Sequence, residues 1–391
     1  MLPEFFEFYN PTKVIFGVGI SNDFSSELSV LSFSRIFVIT DKGVRQTGMV
    51  DKIINNLKEQ NFEVGGIFDE VPPNSELKVV KSVASLCKES SCDAILAIGG
   101  GSVIDTAKGA NILVSEGGDL YQDYSGAHTL THPLNPLIVI PTTAGTGSEV
   151  TMVAVIYNED EHVKIPFTDK FILPNLAILD PELTISLPSK MTAATGMDAL
   201  THAIEAYVSV QASPLSDALA KQAIKMIKDN LVTVVKDGKN IEARSNMLIA
   251  SCMAGIAFSH SMVGCIHGMA HACGGLFGVP HGVANTILLP YGMKYNLNEV
   301  NNKFAELAKI WDIDISGCDN IEASMKLIEN IKELQQELNK ICGIPVRLSE
   351  VGIKEENLEE IAQGTVNDGT SFYNPREVLF EEIIKVLKEA L

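Results

Sequence analysis

Short β-branched and aliphatic runs alternate with stretches of helical period through the first half of the chain. The runs are IFVIT (36–40), FEVGGIF (62–68), DAILAIGG (93–100), LIVIP (137–141) and LAILD (176–180). Strands separated by helices predict a largely parallel sheet covered by helices, over Lys13 to about Pro181. After Pro188 the strand pattern stops. From Lys190 onward apolar residues recur with helical period, as in SDALAKQAIKMIKDNLVTVVK and NKFAELAKIWD, with Gly and Pro between segments. The pattern predicts an α/β domain over residues 1–187 and an all-α domain over 188–391, with the boundary between Leu187 and Lys190.

Composition narrows the class. A chain of 391 residues holds two domains with a core each. With 46% hydrophobic and 20% charged residues it has the composition of a soluble globular protein. No apolar run approaches the roughly 18 residues of a membrane span. The N-terminus, MLPEFFEFYNPTKV, lacks a basic-then-apolar signal segment, which predicts a cytoplasmic protein. A net charge of −19 argues against a nucleic-acid partner, because phosphate backbones require clustered Lys and Arg. An anionic ligand must then be held by local devices. Seven cysteines (87, 92, 252, 265, 273, 318 and 342) show no framework spacing and are expected as reduced thiols without a catalytic role.

Five of the eight histidines fall between His202 and His281. An α-helix places residues i and i+4 on one face, so Asp198 can point with His202, and His267 with His271. With His281 beyond, these groups can converge on one cation. A carboxylate with neutral imidazoles suits a divalent first-row ion. Spacing alone does not select the ligands among the histidines. His260 is expected to be structural, at a helix end.

Two loops offer anion sites in what reads as a Rossmann-like parallel sheet. DAILAIGG runs into Gly99-Gly100-Gly101-Ser102 and then a helix, whose N-terminus offers unpaired N–H groups and partial positive charge. Neither a G-x-G-x-x-G nor a Walker A motif is present. A second loop follows LIVIP, rich in hydroxyls and glycines: Thr142, Thr143, Ala144, Gly145, Thr146, Gly147, Ser148. Asp41 ends the IFVIT strand. It can accept from an adenosine ribose, favouring NAD over NADP by repelling a 2′-phosphate, or it can serve as a helix cap. A ligand on the first domain would meet the metal in an interdomain cleft.

These motifs together resemble the iron-containing (group III) alcohol dehydrogenases through nearly the whole chain. The match rests on GGGSVIDTAK (99–108), PTTAGTGSEVT (141–151), DPELTISLP (180–188), GMDALTHAIEAY (196–207) and IHGMAHACGGLFGVPHG (266–282). The resemblance implies Asp198, His202, His267 and His281 as metal ligands, and His271 beside the nicotinamide. It implies pyrophosphate binding by Gly99, Gly100, Gly101 and Ser102, with Asp41 and Asn74 toward the adenosine. Thr142, Thr143, Thr146, Val155, Lys164 and Leu183 would surround the rest of the cofactor. Where the family has Pro after Asn74, this chain has Ser75.

The expected activity is metal-dependent interconversion of small primary alcohols or diols with aldehydes, using NAD, or NADP in its place. Fe2+ is the family's ion and Zn2+ the alternative; His271 would relay a proton. Three competing functions are a zinc polyol dehydrogenase, a lyase like dehydroquinate synthase and a non-catalytic NAD or metal binder. The lyase would want basic residues near the metal. Lys221, Lys225, Lys228, Lys236, Lys239 and Arg244 instead lie on amphipathic stretches away from the ligand motifs. Met152, Val153, Phe258 and Phe277 are apolar candidates for the substrate wall. An exposed edge strand would permit a homodimer or a higher homo-oligomer.

Overall fold

The structure, a computed structural model, describes residues 4–161 and 163–391. The first three residues of the segment inspected for a signal sequence lie outside these. Six strands form one sheet: β1 (Lys13–Phe16), β2 (Arg35–Ile39), β3 (Glu63–Phe68), β4 (Ala94–Gly99), β6 (Leu137–Pro141) and β9 (Leu176–Leu179). Their order is β1-β9-β6-β4-β2-β3 and every neighbouring pair is parallel. The five expected strands are all here; edge strand β1 joins them. A second sheet has β5 (Gly126–Ala127), β7 (Val153–Asn158) and β8 (Val163–Thr168), with β7 antiparallel to β8. The alternation of apolar and polar residues in VKIPFT fits β8, although the strands of this sheet were not among the expected ones. The helices of this unit are α1 (Ser25–Leu28), α2 (Lys42–Gln46), α3 (Met49–Glu59), α4 (Leu77–Glu89), α5 (Gly101–Glu116) and α6 (Leu120–Tyr124).

Successive side chains of a strand point to opposite faces, and both faces of the large sheet are covered. Ile36, Val38, Leu96, Ile98, Ile138 and Ile140 pack with Val50, Ile53, Ile54 and Leu57 of α3. Phe37, Ile39, Ile95, Ala97 and Val139 pack with Val80 and Val83 of α4 and Val103, Ile104 and Ala107 of α5. Two-sided burial is why these strands read as unbroken apolar runs. Each such side chain contributes about 1.5–3 kcal/mol of hydrophobic stabilisation.

The second unit comprises Pro188–Leu391 with the N-terminal segment ending at Phe8. Phe8 stacks on the ring of His260 at 4.1 Å, and His260 Nδ1 bonds the carbonyl of Ile256 at 2.7 Å. That histidine is structural, near the end of its helix. The helices are α7 (Ser189–Val208), α8 (Pro214–Lys236), α9 (Ile241–Ser261), α10 (Cys265–Phe277), α11 (His281–Ile310), α12 (Asn320–Cys342), α13 (Leu358–Asn367) and α14 (Phe380–Ala390). α7 packs against α8, α9 and α11, and every residue from Gly196 to Val208 is buried. Such a helix is apolar all round except where polar groups have partners or chemistry. Among the described residues no single helix is long and apolar enough to cross a membrane. α9 and α10, bent by 102° relative to each other, have that composition as a pair because they fill this unit's interior.

Candidate metal centre and anion-binding loops

Asp198 and His202 lie one turn apart on α7, His267 lies in the first turn of α10, and His281 is the first residue of α11. Three helices thus supply the cluster, where spacing had suggested two helical pairs. Asp198 Oδ1 stands 3.4 Å from His281 Nε2 and 3.9 Å from His267 Nε2, and Asp198 Oδ2 stands 3.9 Å from His202 Nδ1. All four donors lie within 4.8 Å of one another. Ligand bonds of about 2.0–2.2 Å place tetrahedral donors about 3.3–3.6 Å apart, so the Asp198–histidine pairs already lie within a few tenths of an ångström of that spacing and the widest donor pair needs about an ångström of closure.

Charge makes the same case. Asp198 is 2% exposed and its ion-pair partners are these three histidines. Neutral imidazoles leave a buried carboxylate uncompensated, which is costly, whereas a dication balances it. The residues therefore fit the divalent ion that the resemblance implies. Asn285, one turn into α11, adds an amide: its Nδ2 lies 2.6 Å from Asp198 Oδ1 and 3.2 Å from Nε2 of both His267 and His281.

His271 stays outside the donor set. Its ring lies parallel to that of His281, with centroids 5.3 Å apart. Its Nδ1 meets Asp368 Oδ2 at 2.9 Å, while Asp368 Oδ1 accepts from Thr370 N and Oγ1 at 2.8 and 2.7 Å. Burial acts to raise the Asp368 carboxyl, but the facing imidazole and the Thr370 bonds outweigh it and hold the group well below the usual carboxylate range. Phe258, a candidate wall residue, stacks on His202 with centroids 4.3 Å apart. Phe277 ends α10, whereas Met152 and Val153 belong to the α/β unit. Arg244 is buried, with NH1 on Thr192 Oγ1 at 3.0 Å and Nε on the carbonyl of Gly238 at 2.9 Å.

Glu205 was missed from sequence, although it shares the face of α7 that carries Asp198 and His202, seven and three residues on. It is buried, and its Oε2 lies 2.5 Å from His267 Nδ1. Burial pushes its carboxyl up to about 7 against the pull of N–H groups of Ile266, Gly264 and His267. A cation at the neighbouring donor set favours the ionised form.

In the α/β unit the parallel strands place most of the predicted cofactor residues along one edge of the sheet, while Val155 and Lys164 lie on β7 and β8 of the second sheet. Asp41 follows β2, Asn74 follows β3, Gly99 to Ser102 link β4 to α5, Thr142, Thr143 and Thr146 follow β6, and Leu183 follows β9. Ligands of open α/β sheets bind at that carboxyl edge. Asp41 caps α2, its Oδ1 accepting from Val44 N at 2.9 Å, so the capping role is realised. Ser75 Oγ donates to the carbonyl of Ser102 at 2.8 Å, tying the Asn74 loop to the start of α5. Thr142 N donates to the Gly99 carbonyl at 3.0 Å.

The two glycine-bearing loops touch closely. A Cβ on Gly101 would lie 2.6 Å from Thr146 Cγ2, and one on Gly100 3.2 Å from Thr143 Cγ2. A side chain at Gly101 would force Thr146 to move, and one at Gly100 would press on Thr143. Beneath them Asp105 accepts from Ser148 Oγ at 2.6 Å and Val155 N at 3.0 Å. Lys108 Nζ reaches the carbonyls of Thr151 at 2.8 Å and Val153 at 2.7 Å. Burial drops Lys108 to about 8 and lifts Glu149 to about 7. This buried network joins α5, the threonine loop and β7. Lys164 lies opposite Tyr157 in the β7–β8 pair.

A family model described as iron-containing alcohol dehydrogenase matches residues 11–181, and one for the C-terminal part of the Fe-containing alcohol dehydrogenase family matches residues 192–391. The chain is 41% identical over 387 residues to the 1,3-propanediol dehydrogenase of Klebsiella pneumoniae, covering 98% of each. It is 36% identical over 384 residues to the NAD-dependent methanol dehydrogenase of Bacillus methanolicus, covering 98% of this chain and 99% of that one. The crystal structure of a 1,3-propanediol oxidoreductase superimposes with a TM-score of 0.95 at 40% identity, covering 99% of this chain and all of that one.

Proposed function

Because the chain belongs to the iron-containing alcohol dehydrogenase family, we propose that it oxidises small primary alcohols or diols, and reduces the corresponding aldehydes, by hydride transfer with NAD and a divalent ion, iron or zinc. The observation that carries this reading is the convergence of Asp198, His202, His267 and His281. A divalent ion held there supplies Lewis-acid stabilisation of charge on the substrate oxygen, and a bound nicotinamide supplies the hydride acceptor.

The chain's own groups do the rest. Backbone N–H groups of Gly100, Gly101 and Ser102, with the α5 N-terminus, hold the pyrophosphate without a cationic side chain. Asp41 and Asn74 face the adenosine, with Asp41 opposing a 2′-phosphate. Thr142, Thr143, Thr146, Val155, Lys164 and Leu183 line the remainder. Phe258 closes one side of the metal site against water. His271, aimed by Asp368, takes the hydroxyl proton during oxidation and returns it during reduction. Small diols are the favoured substrates on the likeness to 1,3-propanediol dehydrogenase. β1 at the sheet edge, with Val14 and Phe16 exposed, suits a homo-oligomer, and the absence of disulfides among the described cysteines suits a reducing cytoplasm.

The test is a rate panel over ethanol, butanol, 1,3-propanediol, 1,2-propanediol and glycerol with NAD and NADP. It is combined with metal analysis of His281→Ala. Net turnover of alcohols, highest for a three- or four-carbon primary alcohol or diol with NAD, and joint loss of metal and rate in the variant are expected. Full activity without metal, or no net turnover of any alcohol, overturns the proposal.

A further inference from the structure

Helix α10 has no side chain of its own to cap it, because its N-cap is Gly264. The first N–H groups of a helix need acceptors, and here they come from α7 and from the loop before α14. Ile266 N donates to Glu205 Oε1 at 2.8 Å and His267 N to Glu205 Oε2 at 3.3 Å, while Cys265 N donates to Asn374 Oδ1 at 3.2 Å. Gly264 has to be glycine for this: a Cβ there would sit 3.1 Å from Glu205 Oε1 and 2.7 Å from Asn374 Oδ1. The carboxylate that serves as this remote cap also lies 2.5 Å from His267 Nδ1.

We infer that Glu205 is the positioning residue of the metal centre: one carboxylate decides which nitrogen of His267 carries the proton and docks the start of α10 onto α7. The proposal rests on the assignment of Asp198, His202, His267 and His281 as metal ligands. Both oxygens of Glu205 accept backbone N–H bonds, so the carboxyl faces His267 as an acceptor, and a neutral His267 keeps its proton on Nδ1 and carries its lone pair on Nε2. That Nε2 is the atom facing Asp198 Oδ1 and Asn285 Nδ2. Glu205 and the ligands Asp198 and His202 share α7, and His267 opens α10. The two hydrogen-bonded edges of one side chain therefore set both the separation of the two helices and the direction of one donor. Groups that orient a metal-binding imidazole in this way typically change metal affinity about 10- to 100-fold when removed.

Two measurements on the full-length protein test this. Nitrogen-15 histidine spectra of the metal-free and zinc-loaded native protein, with His267 assigned through its loss in His267→Gln, should show the proton on Nδ1 in both forms and only Nε2 shifting with zinc. A proton on Nε2 in the metal-free protein, or a zinc-induced shift at Nδ1, overturns the proposal. Competition for Zn2+ against a chromogenic chelator should then show Glu205→Gln binding about 10- to 100-fold more weakly than native. The metal-free variant should keep native helical circular dichroism, which a purely structural role would not separate from metal affinity. Equal affinity overturns the proposal, and the native spectra decide it even where the variant fails to fold. Native protein that binds no zinc or iron defeats the ligand assignment itself, a result distinct from either.

Discussion

Gly101→Ala is a direct probe of how the two loops proposed to bind the cofactor depend on each other. The added methyl would lie 2.6 Å from Thr146 Cγ2, 3.0 Å from its Oγ1 and 3.1 Å from its Cβ. Ordinary carbon contacts begin near 3.5 Å, so the overlap is close to an ångström and involves a side chain on a turn, not a flexible tip. Overpacking of this kind costs about 1–3 kcal/mol. If the threonine loop yields, the loss appears in cofactor affinity, because binding must restore the geometry; if it holds, the loss appears in stability. The sum of the two is what the structure constrains. NADH titration by fluorescence and urea unfolding of the same samples should therefore total about 1–3 kcal/mol, which is roughly 5- to 150-fold in the dissociation constant when all of it falls on binding. Thr146→Gly in the same chain removes the obstructing atoms, and a double-mutant cycle should give a coupling of at least about 1 kcal/mol. Strict additivity, or a Gly101→Ala protein with native affinity and native stability, refutes the close approach of the loops.

Glu149→Gln tests the buried network beneath them. The folded carboxyl titrates at about 7 against 4.5 for the exposed group, so its contribution to stability is full below 4.5 and is lost as pH rises through 7. The native protein should lose up to about 3 kcal/mol over that window that the amide variant does not, and the variant's Tm advantage should widen between pH 5 and pH 8; a constant gap refutes the assignment. Asp368→Asn should leave bound metal unchanged and lower kcat by about 10² or more, because Thr370 holds the amide oxygen and turns the NH2 toward His271, favouring the wrong tautomer. A kcat within twofold of native removes His271 and Asp368 from proton transfer.

What the chain discloses of its fold follows burial. β2, β4, β6 and β9 are covered on both faces and so stand out as unbroken apolar runs. β1 is a short, largely exposed edge strand, whereas β7 (VAVIYN) and β8 (VKIPFT) do carry strand signals, the second alternating apolar and polar residues, that the five expected runs leave out. The cluster of Asp198 and histidines was legible because Asp198 and His202 share one turn and the histidine-rich segment is short, though spacing alone did not choose among the histidines. Glu205 continued that same helical face and could have been found by extending the period one step further. Asp368 could not: ninety-seven positions separate it from His271, and only the packing of α10 against α13 and the turn after it brings them together.

The donors of the metal centre come from α7, α10 and α11, and the whole of α8 and α9 intervenes between His202 and His267 along the chain. No short peptide of this protein contains the set. Coordination is consequently a property of tertiary packing, and binding free energy is drawn from the same equilibrium as folding of the helical unit. If the cluster holds the proposed ion, bound metal counts natively assembled molecules. On the proposed assignment, stoichiometry below one ion per chain would report a packing fault anywhere in that unit, including α8 or α9, which supply no donor to the cluster.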